Sequence, residues 1–150
     1  MLGNLTEQEV EQILHQESIG RIGCVVDGRP YIVPVTYAYD GKRVVCHSAI
    51  GKKIKAMRSR PEVCFEVEQI QDLSHWKSVI ASGRFEELHG EPAAMAMSLL
   101  VNRLLPLISS TKDPAKDVHS VTPHGDAEVG SQTVVYCLHL SEKSGRFETG

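Results

Sequence analysis

The chain has 150 residues, of which 23 % are charged, and its formal net charge is -3. That length suits one domain with a core of its own. The negative balance argues against a general nucleic-acid binder, and no apolar run is long enough to span a membrane. The N-terminus lacks the basic and apolar regions of a secretory signal. Cys24, Cys46, Cys64 and Cys137 form no C-x-x-C pair and each falls within a strand-like apolar run. They are expected to be small buried hydrophobes in a reducing cytoplasm rather than a disulfide framework.

Thr6 and Glu9 have the spacing of a capping box, and Leu5 can staple onto Val10. With Val10, Ile13 and Leu14 on one face, a helix is predicted from Thr6 to Gln16. Ile19–Val26 reads as a strand, and the Asp27-Gly28 turn joins it as a hairpin to Tyr31–Tyr39. Along that second strand Tyr31, Val33, Val35, Tyr37 and Tyr39 share one face. Pro34 cannot donate to a ladder, so the strand is an edge, carries a bulge, or meets a ligand there.

Asp40-Gly41 marks a further turn before a strand over Arg43–Ser48, and a helix after Gly51 buries Ile50, Ile54 and Met57 and stops before Pro61. Val63, Phe65 and Val67 alternate with Cys64, Glu66 and Glu68 as a half-buried strand. A long strand follows from His75 to Leu88, with Val79, Ala81, Gly83 and Phe85 on one face. A helix begins at Glu91-Pro92, and its run Ala93–Leu105 is apolar on more than one side. Met95, Leu99 and Leu100 are core or partner contacts. No periodicity is found from Pro106 to Ser131, a long loop for a compact domain. Thr133–Leu140 closes the chain as a strand with Val134, Tyr136, Leu138 and Leu140 on one side. Six strands joined mainly by hairpins, with two or three helices inserted, predict an α+β fold: a six-stranded antiparallel barrel.

The chemistry concentrates at one junction. In Cys46-His47-Ser48-Ala49-Ile50-Gly51-Lys52-Lys53 a strand runs into a lysine-rich helix. The free N–H groups and dipole of a helix N-terminus favour an anion, glycine permits close approach, and the lysines add charge. Between Gly41 and Pro61 there are seven cations (Lys42, Arg43, Lys52, Lys53, Lys55, Arg58 and Arg60) and no acid. The segment is either a phosphate cradle or a solvated basic helix face.

Five motifs then occur in order: Gly20-Arg21-Ile22-Gly23; Pro30-Tyr31-Ile32-Val33-Pro34-Val35-Thr36-Tyr37; His47 through Lys53; Pro61-Glu62-Val63-Cys64-Phe65-Glu66-Val67; and Trp76-Lys77-Ser78-Val79 with Gly83-Arg84. This series resembles the pyridoxamine 5'-phosphate oxidase-like FMN-binding split-barrel family, within it the nitroimidazole-resistance-like branch. The resemblance covers Thr6 to Leu88 well and the final strand loosely. It implies a split β-barrel, a homodimer and FMN between the subunits. Ser48, Gly51, Lys52 and Lys53 would hold the phosphate, and Val35, Thr36 and Tyr37 would lie along the isoalloxazine. Trp76, Ser78 and Val79 would approach from the second subunit, Trp76 also serving as an interface anchor. The chain departs from the best-known members at Gly145-Arg146-Phe147-Glu148, where no Arg- and Trp-rich C-terminal extension follows the last strand, so pyridoxamine phosphate oxidation is not implied.

The resulting expectation is an FMN-dependent oxidoreductase acting on a small molecule such as a nitroaromatic. Lys52, Lys53 and Arg58 would serve binding, and His47 would be the catalytic candidate, donating a proton or orienting substrate. Alternatives are a non-catalytic flavin or nucleotide carrier, and a haem protein using His119, His124 or His139. His119, His124 and Asp126 match no zinc spacing, so no metal site is predicted.

Overall fold

A computed structural model describes residues 1–108 and 132–150. In chain order it contains β1 (Leu2–Asn4), α1 (Glu7–Gln16), β2 (Ile19–Val26), β3 (Arg29–Thr36), β4 (Ala38–Tyr39), β5 (Arg43–Ala49) and α2 (Lys52–Ser59). These are followed by β6 (Glu62–Asp72), β7 (His75–Leu88), α3 (Gly90–Leu104) with a 3₁₀ turn at Leu105–Leu107, and β8 (Thr133–Thr149). The capping box at Thr6 and Glu9 forms, with both reciprocal hydrogen bonds present. The β2–β3 turn places both Asp27 (φ 51°) and Gly28 (φ 76°) in the left-handed region, as a two-residue hairpin turn of this hand requires.

The strands form one antiparallel sheet in the order β3-β2-β6-β7-β8-β5-β4, with β1 added alongside β8. Its two end strands, β3 and β4, are separated in sequence by Tyr37 alone. The sheet must therefore curl until its ends meet, which makes a barrel split where the chain steps across. Tyr37 fixes that step: its backbone N–H donates to the Ser18 carbonyl (2.9 Å) and its hydroxyl to the Leu14 carbonyl (2.9 Å). The single strand expected over Tyr31–Tyr39 is thus two short ones, because the chain leaves β2 and joins β5. Pro34 lies in edge strand β3, opposite Arg21.

Inward-facing Ile22, Val33, Val44, Phe65, Val67, Val79, Tyr136 and Leu138 are wholly buried. α1 contributes Val10, Ile13 and Leu14 to the same core, and α2 contributes Ile54 and Met57. α3 packs outside the barrel, where Ala96, Leu100 and Leu104 cover Ala38, Val45, Leu88 and Cys137. Met95 on that helix is 68 % exposed. Cys24, Cys46 and Cys137 are buried as expected, whereas Cys64 faces outward and is exposed. Among the described residues no helix is long and apolar enough to cross a membrane.

Among the described residues, eight strands replace the expected six. β8 runs nine residues beyond Leu140, so Gly145-Arg146-Phe147 lies within it rather than after it. That half pairs with β7 on one side and β1 on the other, for example Phe147 with Lys77 and with Gly3. A bulge interrupts the β7–β8 ladder between Ile80 and Ser82, where Glu142 adopts φ 48°.

Candidate functional site

α2 begins without a side-chain cap. Gly51 is its N-cap residue and offers no side chain to hydrogen-bond the first turn, and that turn contains no acid. The leading N–H groups and positive dipole end of such a helix start favour an anion. Lys52 is exposed at the first position and lines two adjoining clefts against the β2–β3 turn. One also includes Arg29, Pro30 and Tyr31; the other includes Lys55, Ser59 and Arg60. Asp27 is the acid shared by both linings, against Lys52, Arg29, Lys55 and Arg60, so among the described residues the linings are net positive.

Lys53 plays a different part from Lys52. It is only 5 % exposed and its charge acts on Cys46 inside the barrel. Burial pushes the Cys46 thiol up to about 12, opposed by the nearby Tyr136 hydroxyl and by the Lys53 charge. Ser48 is half-buried and its hydroxyl donates to the Ala49 carbonyl at 2.8 Å. Arg58 points away from this region into an ion pair with Glu87, with Nη2 at 3.2 Å from Oε2.

His47 is half-buried in β5. Strand alternation puts it on the face of Val45, which packs under α3, rather than on the inward face of Val44 and Cys46. It therefore lies outside the barrel.

The expected flavin-facing residues divide by the same alternation. The Val35, Tyr37 and Val79 side chains are in the core, so only their backbone is available to a ligand. Burial pushes the Tyr37 hydroxyl up, and it stays protonated. Thr36, Trp76 and Ser78 are half-buried on the outer face. That face is continuous across β3-β2-β6-β7: Pro34 opposes Arg21, Arg21 opposes Glu66, and Glu66 opposes Ile80. It carries Ile32 at 72 % exposure and Ile80 at 56 %. Trp76 lines a separate cleft of ≈ 480 Å³ with Gln69, Ile70, Lys77 and Glu148. The chain thus brings Ser48, Gly51, Lys52 and Lys53 to one helix start, and sets Trp76 in a different cleft.

Arg29, Lys55 and Arg60 complete the cationic lining beyond the site residues expected from the sequence. Lys55 follows Lys52 at helical spacing and was legible as its same-face neighbour. Arg29 comes close only through the hairpin. His119, His124 and Asp126 lie outside the described residues. His139 Nε2 is 2.9 Å from a Glu86 oxygen.

On the outer face Arg21 Nη1 pairs with Glu68 at 2.8 Å and with Glu66 at 3.7 Å. Burial, and then the hydrogen bond and charge of Glu68, push the Glu66 carboxyl up to about 7. The folded chain therefore holds this proton longer than the unfolded chain. The associated stability is present below the ordinary carboxyl value of 4.5 and is lost as pH rises through about 7. Glu66→Gln is expected to match the parent near pH 4.5 and to exceed its stability at pH 8, by about 1 kcal/mol after solvent screening. Urea unfolding at the two pH values checks this.

A protein-family model described as "Pyridoxamine 5'-phosphate oxidase" matches residues 6–147. An uncharacterized protein of Rhizobium meliloti (strain 1021) is 38 % identical over 84 residues, covering 56 % of each chain. The present chain thus spans little more than half the length of that curated relative. Among solved structures, an FAD-binding protein from Mesorhizobium loti aligns over 99 % of both chains with a TM-score of 0.73 and 27 % identity. An FAD- and haem-binding protein from Mycobacterium smegmatis aligns over 99 % of this chain and 74 % of its own, with a TM-score of 0.69 and 15 % identity. The split barrel and the match over nearly the whole length show that this chain belongs to the pyridoxamine 5'-phosphate oxidase family.

Proposed function

We propose that the protein binds a flavin, FMN in particular, and works as an oxidoreductase on a small molecule such as a nitroaromatic or quinone. The observation that carries this reading is the uncapped, acid-free start of α2 beside the Lys52, Arg29 and Lys55 clefts. The donor set fits a phosphate monoester: backbone N–H groups, a glycine and converging cations. The FAD-binding relative at 27 % identity supports a flavin of either kind.

A bound flavin supplies the electron transfer. Gly51 and Lys52 would hold its phosphate, with Lys53 reinforcing the potential from within the barrel. Thr36 and the backbone beside Pro34 would meet the ring's polar edge on the outer face. His47 is the residue proposed to donate a proton or orient substrate.

The proposal includes a homodimer. Trp76 and Ser78 share the outer face with exposed Ile32 and Ile80, and Trp76 and Lys52 line different clefts. A ligand meeting both residues is best served by two copies of the chain. The free thiols support a cytoplasmic location.

The test is anaerobic mixing of the flavin-loaded protein with NADH or NADPH, followed by a nitroaromatic or quinone acceptor. Bleaching of the flavin band and its return with turnover is expected. Failure with either reductant would replace the oxidoreductase reading by that of a flavin carrier. Gel filtration giving only a monomer that retains flavin would remove the interface site.

A further inference from the structure

A second cluster lies on the outer face of β7 and β8, away from the α2 clefts. Glu86 and Cys137 are direct cross-strand partners, and His139 follows Cys137 by two residues on the same face of β8. Three donor atoms converge there. Cys137 Sγ is 3.6 Å from His139 Nε2 and 3.8 Å from Glu86 Oε1, and His139 Nε2 is 2.9 Å from the same oxygen.

We propose that Glu86, Cys137 and His139 form a zinc site whose fourth position is open to water. Ordinary zinc bond lengths put adjacent tetrahedral ligands about 3.4–3.6 Å apart. The Cys137–His139 separation of 3.6 Å matches that spacing, and the Cys137–Glu86 separation of 3.8 Å is slightly longer. The third is a hydrogen bond that must open by about half an ångström on metal entry. Glu86 can make that movement because its side chain is 56 % exposed, and His139 is also half-exposed.

The geometry disfavours the obvious alternative, a thiol–imidazole–carboxylate catalytic triad. In a triad the carboxylate orients the ring through the nitrogen that does not face the nucleophile. Here one nitrogen, Nε2, faces both the sulfur and the carboxylate. The three donor atoms lie within 4.8 Å of one another, close enough to share one ion.

The neighbouring charges are compatible with the site. Arg43 Nη1 lies 3.9 Å from the sulfur and Arg43 is itself held by Asp40, Nε to Oδ2 at 2.9 Å. A thiolate and a carboxylate neutralise a divalent ion, so the guanidinium faces no net positive charge and can donate to the sulfur from outside the ligand shell. Without metal, burial pushes the Cys137 thiol up to about 11, against the opposing pull of Arg43. Zinc entry would displace that proton to solvent.

The experiment titrates chelator-treated protein with Zn²⁺, and in parallel with Co²⁺ as the spectroscopic probe. One ion per chain is expected, with a thiolate-to-cobalt charge-transfer band in the near ultraviolet. Glu86→Gln and His139→Asn, both at exposed side chains, should each weaken Zn²⁺ binding about tenfold or more. Cys137→Ser should abolish the charge-transfer band, whereas Cys64→Ser at the exposed thiol should leave it intact. Absence of stoichiometric binding, or a band that survives Cys137→Ser, would overturn the assignment. Flavin content is read on the same samples and is expected to be unchanged, which separates this proposal from the flavin site.

Discussion

Replacing Lys52 by glutamate is expected to weaken flavin binding about a hundredfold, the equivalent of losing one charge-assisted contact to a phosphate and gaining a repulsive one. The same substitution is expected to leave the fold intact or slightly more stable. Lys52 is exposed at the first position of α2, where the helix has no acid and no side-chain cap. A carboxylate there opposes the dipole favourably, by about 0.3–1 kcal/mol. Binding and stability therefore move in opposite directions, which a damaged fold cannot mimic. Fluorescence titration with FMN and a thermal melt of the same preparation check both halves. Unchanged affinity would place the phosphate elsewhere. The Lys53→Met comparison behaves differently: its side chain is 5 % exposed within the packed interior, so loss of binding there comes with altered packing.

Gly20→Ala is expected to cost about 3 kcal/mol of stability, near the upper end for inserting volume into a packed core. A Cβ built on Gly20 would sit 2.3 Å from Cζ of Phe65 and 3.0 Å from the Glu66 carbonyl oxygen. The ring is held in place: Phe65 is wholly buried and packs edge-on to Tyr37 with centroids 5.0 Å apart. Tyr37 in turn is tied to α1 and to the β3–β4 step. The strain has little room to relax, and a drop in melting temperature on the order of 10 °C is expected for a domain of this size. Phe65→Ala alone is expected to cost about 3–5 kcal/mol. Combined with Gly20→Ala it should cost less than the sum of the two, with a coupling of roughly 1 kcal/mol or more. Strict additivity would show that the glycine and the ring do not share this space.

The regular elements were legible wherever one face met the core. Ile19–Val26 and His75–Leu88 emerge with the expected limits because period-two alternation is strong there. α1 emerges because its capping box and apolar face agree. The second half of β8 was invisible for the complementary reason. Ser141–Thr149 is largely exposed and carries no apolar alternation, and its strand form rests on ladders to β7 and β1. β1 itself is three residues long, too short for any period to register. The break at Tyr37 follows from closure of the sheet, a long-range requirement that no local pattern encodes.

The start of α2 was legible because glycine, lysine and the strand-to-helix change lie together in sequence. Which lysine faces solvent was not. Lys52 and Lys53 are adjacent letters, yet helix rotation sends one to the clefts and the other toward Cys46. Arg58, counted with the phosphate cations, is instead engaged by Glu87 from β7, a partner 29 residues away. The Glu86–Cys137–His139 cluster was hidden for the same reason, since β7 and β8 are separated by α3 and the segment after it.

The central claim is that the α2 N-terminus holds a flavin phosphate. Its most direct test is the absorbance spectrum of the purified protein, with mass analysis of any released cofactor, followed by titration of the stripped protein with FMN. A flavin spectrum, FMN as the released species and uptake of one flavin per chain at micromolar concentration are the predicted results. Released FAD would keep the phosphate site and change the flavin. A colourless protein that takes up neither flavin at micromolar concentration would contradict the account.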